Sequence, residues 1–217
     1  MSTPPAPVAV RAAAEDDAEA VAALVAEALG DKYRPALGAG AQAAIAALVR
    51  RDVAGPGTNR RWVAEIDGRV AGSVTMSLGR DADEGFPAAV AEAVGWPRAI
   101  RATLVLSLLG HGQLDADEAY IDELAVADWA RRRGVGRALL ETCAVEAAEA
   151  GRRRLTLWVT VGNVAGRALY ARAGFGERRR RRVLAGRLLF RAPGAILMER
   201  RLAPAPPAQG AAPGSPG

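Results

Sequence analysis

Cysteine and histidine are almost absent from this 217-residue sequence, which contains only Cys143 and His111. A single cysteine excludes a disulfide framework, and one cysteine with one histidine falls short of a His/Cys zinc cluster. A Ser-His-Asp hydrolase is disfavoured as well, because its triad would depend on that one histidine. We therefore predict no metal and look for chemistry carried by other side chains.

Lysine is nearly absent too, since Lys32 is the only one, and arginine carries almost all of the positive charge. The formal net charge is only +5 at pH 7, which is weak support for a polyanionic partner. The five arginines at positions 178–182 do not change this, because side chains alternate between the two faces of an extended strand. A nucleic-acid partner is therefore disfavoured.

The sequence has no long hydrophobic run. The longest candidate, residues 103–110, is far below the roughly 18 to 20 apolar residues of a membrane span. The first seven residues also lack the basic and apolar regions of a signal peptide. We expect a cytoplasmic protein with no membrane partner.

Large apolar side chains are missing from both ends of the chain. Residues 2–7 are rich in proline, and residues 203–217 are almost wholly alanine, proline and glycine. Such segments cannot bury a core. We predict disordered tails over residues 1–7 and 203–217 and a single domain over residues 8–202, a size within the usual range for one domain.

Between the tails, hydrophobic periodicity predicts strands that alternate with helices, which implies a sheet core. The predicted strands are residues 8–11, 61–66, 69–77, 119–126, 154–161, 175–184 and 195–202, and the predicted helices are a first one carrying Val21, Leu24, Val25 and Leu29, followed by residues 41–53, 135–150 and 164–173. The pair Asp67-Gly68 predicts a two-residue type I′ hairpin turn, because it accepts positive φ angles. Residues 79–118 interrupt the pattern as an insertion, with a helix-length apolar run at 100–109.

The segment that carries chemistry is a glycine-rich turn between a predicted strand and a predicted helix. It reads Arg131-Arg132-Arg133-Gly134-Val135-Gly136-Arg137-Ala138. Glycines permit close approach to the backbone, and a helix start offers unpaired N–H groups and partial positive charge, so a pyrophosphate is a natural ligand. The segment matches neither the Walker loop nor the three-glycine Rossmann fingerprint.

This segment resembles the R/Q-x-x-G-x-G/A acetyl-coenzyme A loop of the Gcn5-related N-acetyltransferase (GNAT) family, with Arg131, Gly134 and Gly136 at its defining positions. A second signature follows in register, with Asn163, then Tyr170, then Gly174-Phe175. The resemblance covers roughly residues 8–202, is strongest from 120 to 175, and leaves the insertion and the tails unmatched. The glutamate that some relatives carry on the fifth strand is replaced by Trp158.

The resemblance implies an α/β (α+β) fold, a mixed and mostly antiparallel twisted sheet with helices on both faces and a cofactor cleft between two splayed strands. It implies acetyl-CoA as acetyl donor and direct attack by an amine in a ternary complex, with backbone N–H groups near residues 124–126 stabilising the oxyanion. The implied cofactor-binding residues are Leu124, Ala125, Val126, Arg131, Arg132, Arg133, Gly134, Val135, Gly136, Arg137, Ala138, Asn163 and Tyr170.

Three side chains are candidates for proton transfer. Tyr170 can protonate the departing thiolate, although it could instead be a packing residue, and Asn163 could contact the cofactor or only cap its helix. Asp122 and Glu123 can deprotonate the amine. As neighbours on one strand they face opposite sides of the sheet unless a bulge intervenes, and we favour Glu123. Both could also be ordinary polar residues.

Two other functions stay open beside N-acetylation: a non-catalytic acyl-CoA sensor and, less favoured, a basic nucleic-acid-binding module. The acceptor amine cannot be read from the sequence, because acceptor sites in this fold are built from early helices and insertions. The run at 100–109 is too apolar to stay exposed to water, so it should pack against another surface. We therefore expect the insertion to shape the acceptor site or a homodimer contact.

Overall fold

A single seven-stranded sheet organises the protein in the computed structural model, which describes residues 6–30, 37–54, 59–79, 86–107, 114–182 and 194–203. The strands are β1 (Ala9–Ala12), β2 (Asn59–Ile66), β3 (Arg69–Ser77), β4 (Glu118–Val126), β5 (Arg154–Thr160), β6 (Gly176–Arg182) and β7 (Gly194–Arg201). The helices in these ranges are α1 (Ala18–Ala28), α2 (Ala41–Ala54), α3 (Phe86–Val94), α4 (Trp96–Ser107), α5 (Val135–Glu149) and α6 (Val164–Arg172).

The strand order is β1-β2-β3-β4-β5-β7-β6, and β4 and β5 are parallel neighbours while the other pairs are antiparallel. This confirms the predicted mixed, mostly antiparallel sheet. The predicted hairpin is present between β2 and β3, with Asp67 at φ 53° and Gly68 at φ 71°. Both angles are positive, as a type I′ turn requires.

Helices cover both faces of the sheet. A Cβ placed on Gly72 of β3 would lie 2.6 Å from Val135 and 3.1 Å from Leu139, so this face of β3 contacts α5. Arg61 of β2, opposite Thr75 in the sheet, instead pairs with Asp52 of α2. Thr75 lies three residues beyond Gly72, and side chains alternate along a strand, so α2 and α5 lie on opposite faces.

The predicted cores of the helices are confirmed by burial. Val21, Leu24 and Val25 of α1 are buried, and Leu29 is partly buried beyond its end. Cys143 is fully buried on α5, and burial raises the pKa of its thiol, which keeps the thiol protonated and unreactive.

The insertion contains two helices, α3 and α4, where the sequence predicted one. The break between them is Gly95, at φ 83°, directly before Trp96-Pro97, the first two residues of α4. Residues 108–109 of the predicted apolar helix, His111, and residues 183–184 of the predicted sixth strand lie outside the described residues. So do residues 1–5 and 204–217 of the predicted tails, whereas Ala6 packs partly buried against the core. Among the helices of the described segments, none has the length and apolarity to cross a bilayer.

Candidate active site

The parallel strands β4 and β5 form a cleft because they separate after three paired positions. Glu118, Ala119 and Tyr120 face residues 154–156 of β5 in register. Beyond Tyr120, β4 continues to Val126 and stays paired only with β3, while β5 stays paired with β7. The unpaired edges of the two strands therefore border a wedge-shaped opening, and Leu124, Ala125 and Val126 line one side of it.

The glycine-rich turn lies at the open end of this cleft. After β4, a short 3-10 helix (Asp128–Ala130) leads to a turn in which Arg132 has φ 60° and Gly134 has φ 86°. Gly134 is the N-cap of α5 and provides no side-chain cap. The first-turn N–H groups of α5 have no intrahelical partner, so they are available to an anion together with the positive end of the helix.

The two glycines of the turn have different surroundings. A Cβ on Gly134 would meet nothing within 4 Å, so the space above its backbone is open to a ligand. A Cβ on Gly136 would lie 2.9 Å from Leu169, which shows that Gly136 permits close packing of α5 against α6. The open, amide-bearing turn at Gly134 is the feature that fits a diphosphate.

The arginines of the turn are exposed. Arg131 pairs with Asp128 at 2.6 Å, and Arg132, Arg133 and Arg137 are also exposed at the surface. Exposed guanidinium groups can add positive charge around an anion, but they are too screened by water to fix its position alone. Val135 is buried beneath the turn and Ala138 is partly buried.

Helix α6 packs beside the start of α5 and carries the second signature. Asn163 is its N-cap, with the side-chain oxygen accepting a hydrogen bond from the Gly166 N–H at 2.8 Å. A Cβ on Gly166 would lie under 3 Å from the Asn163 side chain, which explains a glycine at this position. The capping role predicted for Asn163 is therefore confirmed.

Two tyrosines interact electrostatically near the point where β4 and β5 separate. Tyr120 occupies the last paired position of β4, and burial, followed by the nearby Asp122, Tyr170 and Glu118, raises the pKa of its phenol. Burial raises the pKa of Tyr170 to about 12. The Tyr170 ring also packs edge-on against Phe175, with ring centroids 6.0 Å apart. Tyr170 thus remains a proton donor throughout the neutral range.

A β-bulge decides where the two candidate carboxylates lie. Glu123 is opposite Thr75 but Ile121 is opposite Met76, so Asp122 is an extra residue in β4. Asp122 reaches Ser77 with its carboxylate, and Glu123 reaches Arg61, which also approaches Ser73. Ser73 and Ser77 share a face of β3. The expectation of opposite faces therefore fails here, because the bulge gathers both carboxylates on the face covered by α2.

Glu123 is held in a buried ion pair that the sequence analysis did not find. Arg61 Nη1 donates to Glu123 Oε1 at 2.9 Å, and Arg61 Nη2 donates to Asp52 at 3.1 Å. The side chains of Arg61, Glu123 and Asp52 are 4%, 5% and 2% exposed. Arg61 thus pairs with both buried carboxylates and offsets the cost of their burial.

The residues missed by the sequence analysis are Arg61, Ser77 and Tyr120, together with Asn59 and Asp52, which are hydrogen-bonded to this group. They come from β2, β3, β4 and α2 and belong to no motif. The one available signal was Arg61 itself, a charged residue next to the apolar Trp62-Val63. In the described ranges, no group of three or more His, Cys, Asp or Glu side chains is placed to hold a metal ion.

Comparison with known proteins places this geometry in a family. The model of the acetyltransferase (GNAT) family matches residues 24–175 of the chain. A search of curated proteins found no match. A crystal structure described as an acetyltransferase superposes with a TM-score of 0.65 at 23% identity, covering 90% of this chain and all of its own.

Two further solved structures share the fold. The acetyltransferase of the GNAT family from Streptococcus pneumoniae has a TM-score of 0.59 at 18% identity, covering 91% of this chain and all of its own. The ribosomal-protein-S18-alanine N-acetyltransferase from Escherichia coli has a TM-score of 0.53 at 18% identity, covering 92% of this chain and 97% of its own. The family match spans most of the chain and includes the cleft and its turn, so the protein belongs to the GNAT family of acetyltransferases and is an acetyl-CoA-dependent acyltransferase.

Proposed function

We propose that this protein is an N-acetyltransferase that moves the acetyl group of acetyl-CoA onto an amine by direct attack in a ternary complex. The observation that carries the proposal is the arrangement of the cleft: the amide-bearing turn lies at its open end, and two phenols and two carboxylates lie where its strands separate. This arrangement provides an anion site and proton-transfer groups at opposite ends of one cleft.

The turn and the unpaired strand edge would hold the donor. Backbone N–H groups from Gly134 to Arg137 bind the pyrophosphate, and the exposed arginines add positive charge around it. Backbone groups of Leu124, Ala125 and Val126 hold the pantetheine arm and stabilise the developing oxyanion. Bound acetyl-CoA supplies the activated thioester. Asn163 orients α6, which carries Tyr170.

Glu123 and Tyr170 divide the proton transfers. Glu123, kept ionised by Arg61, accepts the amine proton through water, and Tyr170 donates toward the departing sulfur. A thiol has a pKa near 8.5, roughly 3.5 below that of Tyr170, and each pH unit is worth about 1.36 kcal/mol. Complete transfer from Tyr170 would thus be uphill by about 5 kcal/mol, so Tyr170 acts mainly by hydrogen bonding to the sulfur.

The proposal is tested by measuring thiol release from acetyl-CoA across a panel of amines, with mass spectrometry of the products. We expect at least one amine to release thiol and to gain 42 mass units, roughly the mass of an added acetyl group less one hydrogen, at nitrogen. Acetyl-CoA binding without thiol release for any amine class would contradict the proposal and would favour an acyl-CoA sensor.

Gly134 should matter for the donor rather than for the fold. Gly134→Ala places a methyl group in the open space above the turn, and we expect the KM for acetyl-CoA to rise about tenfold, equal to about 1.4 kcal/mol. Gly151→Ala is the matched control, because Gly151 follows the other end of α5 with φ 74° and nothing within 4 Å of its Cβ position. Each change strains the backbone by about 1–2 kcal/mol. An equal KM in both variants would contradict the pyrophosphate site.

The apolar stripe on α4 should be covered in solution. Trp96, Ile100 and Leu104 follow one another at four-residue spacing and are each more than half exposed. We expect Ile100→Asp with Leu104→Asp to change either the molecular mass by light scattering, for a homodimer contact, or the amine preference, for an acceptor site. Val145→Asp, at an isolated exposed position on α5, is the control. A folded double variant with unchanged mass and preference would refute the idea.

A further inference from the structure

Asp122 ends a chain of hydrogen bonds that begins at Asp52 in α2. Asn59 Nδ2 donates to Asp52 Oδ1 at 3.3 Å. Ser77 Oγ lies 2.8 Å from Asn59 Oδ1 and 2.5 Å from Asp122 Oδ2. This series of hydrogen bonds thus joins α2, β2, β3 and β4, and each bond is between two side chains.

Asp52 fixes the orientation of the Asn59 amide. Its carboxylate is 2% exposed and accepts from Arg61 at 3.1 Å and from Arg51 at 3.0 Å, and a carboxylate paired with two guanidinium groups acts only as an acceptor of hydrogen bonds. Asn59 must therefore turn its NH₂ group toward Asp52, and this leaves its carbonyl oxygen toward Ser77. The reversed amide would place two acceptors against each other at Asp52.

The hydroxyl of Ser77 has only one hydrogen to donate. That hydrogen goes to the Asn59 carbonyl, which has none of its own, and Ser77 Oγ then offers only lone pairs to Asp122. A hydrogen bond between Ser77 Oγ and Asp122 Oδ2 consequently needs a proton on Asp122. We propose that Asp122 is a neutral carboxylic acid at neutral pH, held in that form by Asp52, Asn59 and Ser77, so that Glu123 is the only ionised carboxylate of the pair.

The other groups around Asp122 agree with this assignment. Glu123 follows it directly on β4, and Tyr120 lies two residues before it. Ser77 faces it from β3, and Asn59, Arg61 and Asp52 come from β2 and α2. Tyr120 interacts electrostatically with both Asp122 and the Tyr170 phenol of α6. Arg61 is already engaged by Glu123 and Asp52. A second negative charge beside Glu123 would be repelled by the first, which favours a proton on one of them.

The protonated form of Asp122 has a consequence for catalysis, which rests on the proposed function. Two negative charges in the acceptor site would stabilise an incoming amine as its ammonium ion, which cannot attack the thioester. A neutral Asp122 leaves one base, Glu123, and reduces this stabilisation. Asp52, Asn59 and Ser77 are then positioning residues that act through Asp122.

The test reads the protonation of Asp122 directly and needs no substrate. Carboxyl ¹³C NMR of protein labelled at aspartate, titrated from pH 3 to 9, should show one carboxyl that is still protonated at pH 7, assigned by its loss in Asp122→Asn. Asp17 is the internal control, because Arg11 lowers the pKa of its carboxyl. An Asp122 carboxyl that is mostly ionised at pH 7, as an ordinary aspartate with a pKa of about 3.9 is, would overturn the proposal.

Two variants test the direction of the hydrogen bonds that link Asp52 to Asp122. Ser77→Ala removes the acceptor of the Asp122 proton and should lower the midpoint. Asn59→Leu should lower it further, because it frees the Ser77 hydrogen to donate to ionised Asp122; Asn59→Ala serves if the leucine variant does not fold. A midpoint unchanged in both variants would also overturn the proposal. If no amine is acetylated but these midpoints are found, the proposed function fails and the assignment of Asp122 stands.

Discussion

Glu123→Gln should lower kcat/KM for the amine about 100-fold at pH 7, the low end of the usual contribution of a general base. An alkyl amine has a pKa near 10.4, so only about one molecule in a thousand is nucleophilic at neutral pH. Glutamine can still accept the hydrogen bond from Arg61 but cannot accept a proton. The loss therefore falls on catalysis, and acetyl-CoA affinity should stay within about threefold, since Glu123 lies away from the glycine turn.

The pH-rate profile identifies this loss as the loss of a base. In the variant the amine must deprotonate in solution, so log(kcat/KM) should rise with a slope of one from pH 7 until it meets the wild-type value at about pH 9. In the wild-type protein Glu123 takes the proton in the complex, so the profile should lack this slope of one and should change only where Asp122 loses its proton. The difference between the two proteins should shrink about tenfold per pH unit.

Asp17→Asn is the matched control for the structural cost of Glu123→Gln. Asp17 is also a buried carboxylate paired with an arginine of a neighbouring strand, Arg11 of β1, at 2.7 Å. Removing one partner of a buried pair can cost about 3–5 kcal/mol, which applies to Glu123, and the cost should be smaller for Asp17 because the Arg11 side chain is 43% exposed. Both variants should unfold at lower denaturant concentration. Only Glu123→Gln should lose activity. If Glu123→Gln is silent and Asp122→Asn is not, the base is Asp122.

Local patterns predicted most of the fold because they act over a few residues. The Asp67-Gly68 turn depends on two φ angles, and the helix over 135–149 on apolar spacing and a glycine N-cap. The helices of the insertion were predicted less well. Its apolar run predicted one helix, whereas the structure has two, which are separated at Gly95. Helix boundaries there depend on packing against α2, which lies over thirty residues earlier in the chain.

The residues proposed to bind the cofactor could be identified from the sequence because they lie together in it. The turn from Arg131 to Ala138 and the capped helix at Asn163 are short motifs with local causes. The different roles of Gly134 and Gly136 were not predictable, because the tight contact of Gly136 is with Leu169, which is distant in sequence.

The proposed acceptor side of the site depends on the register of the strands, which the sequence does not specify. A regular hairpin around Asp67-Gly68 would place Arg61 opposite Val74. An irregularity near Ala64 shifts Arg61 to Thr75, and the second bulge at Asp122 places Glu123 opposite the same Thr75. Two single-residue shifts thus bring Arg61 and Glu123, 62 positions apart, into one buried pair.

Tyr170→Phe should lower kcat by about 10- to 100-fold and leave the KM for acetyl-CoA within a few-fold. The effect is limited because a thiolate leaves tolerably well unaided, with a pKa near 8.5 for its conjugate thiol. The phenylalanine ring keeps the edge-on contact with Phe175, so stability should change little. Because the pKa of Tyr170 is about 12, wild-type kcat should show no decline from its ionisation below that pH.

Tyr170→Leu separates hydrogen bonding from packing. If Tyr170 acts on the departing sulfur, kcat should fall by similar factors in the phenylalanine and leucine variants. Only the leucine variant loses the contact with Phe175, so only that variant should be destabilised, by about 1–3 kcal/mol. A packing residue gives the reverse pattern, with wild-type turnover in Tyr170→Phe and loss only in Tyr170→Leu. Single-turnover measurements report the rate of the acetyl-transfer step itself. The pH-rate profile of Tyr170→Phe should run parallel to that of the wild-type protein, because the proposed base Glu123 is intact.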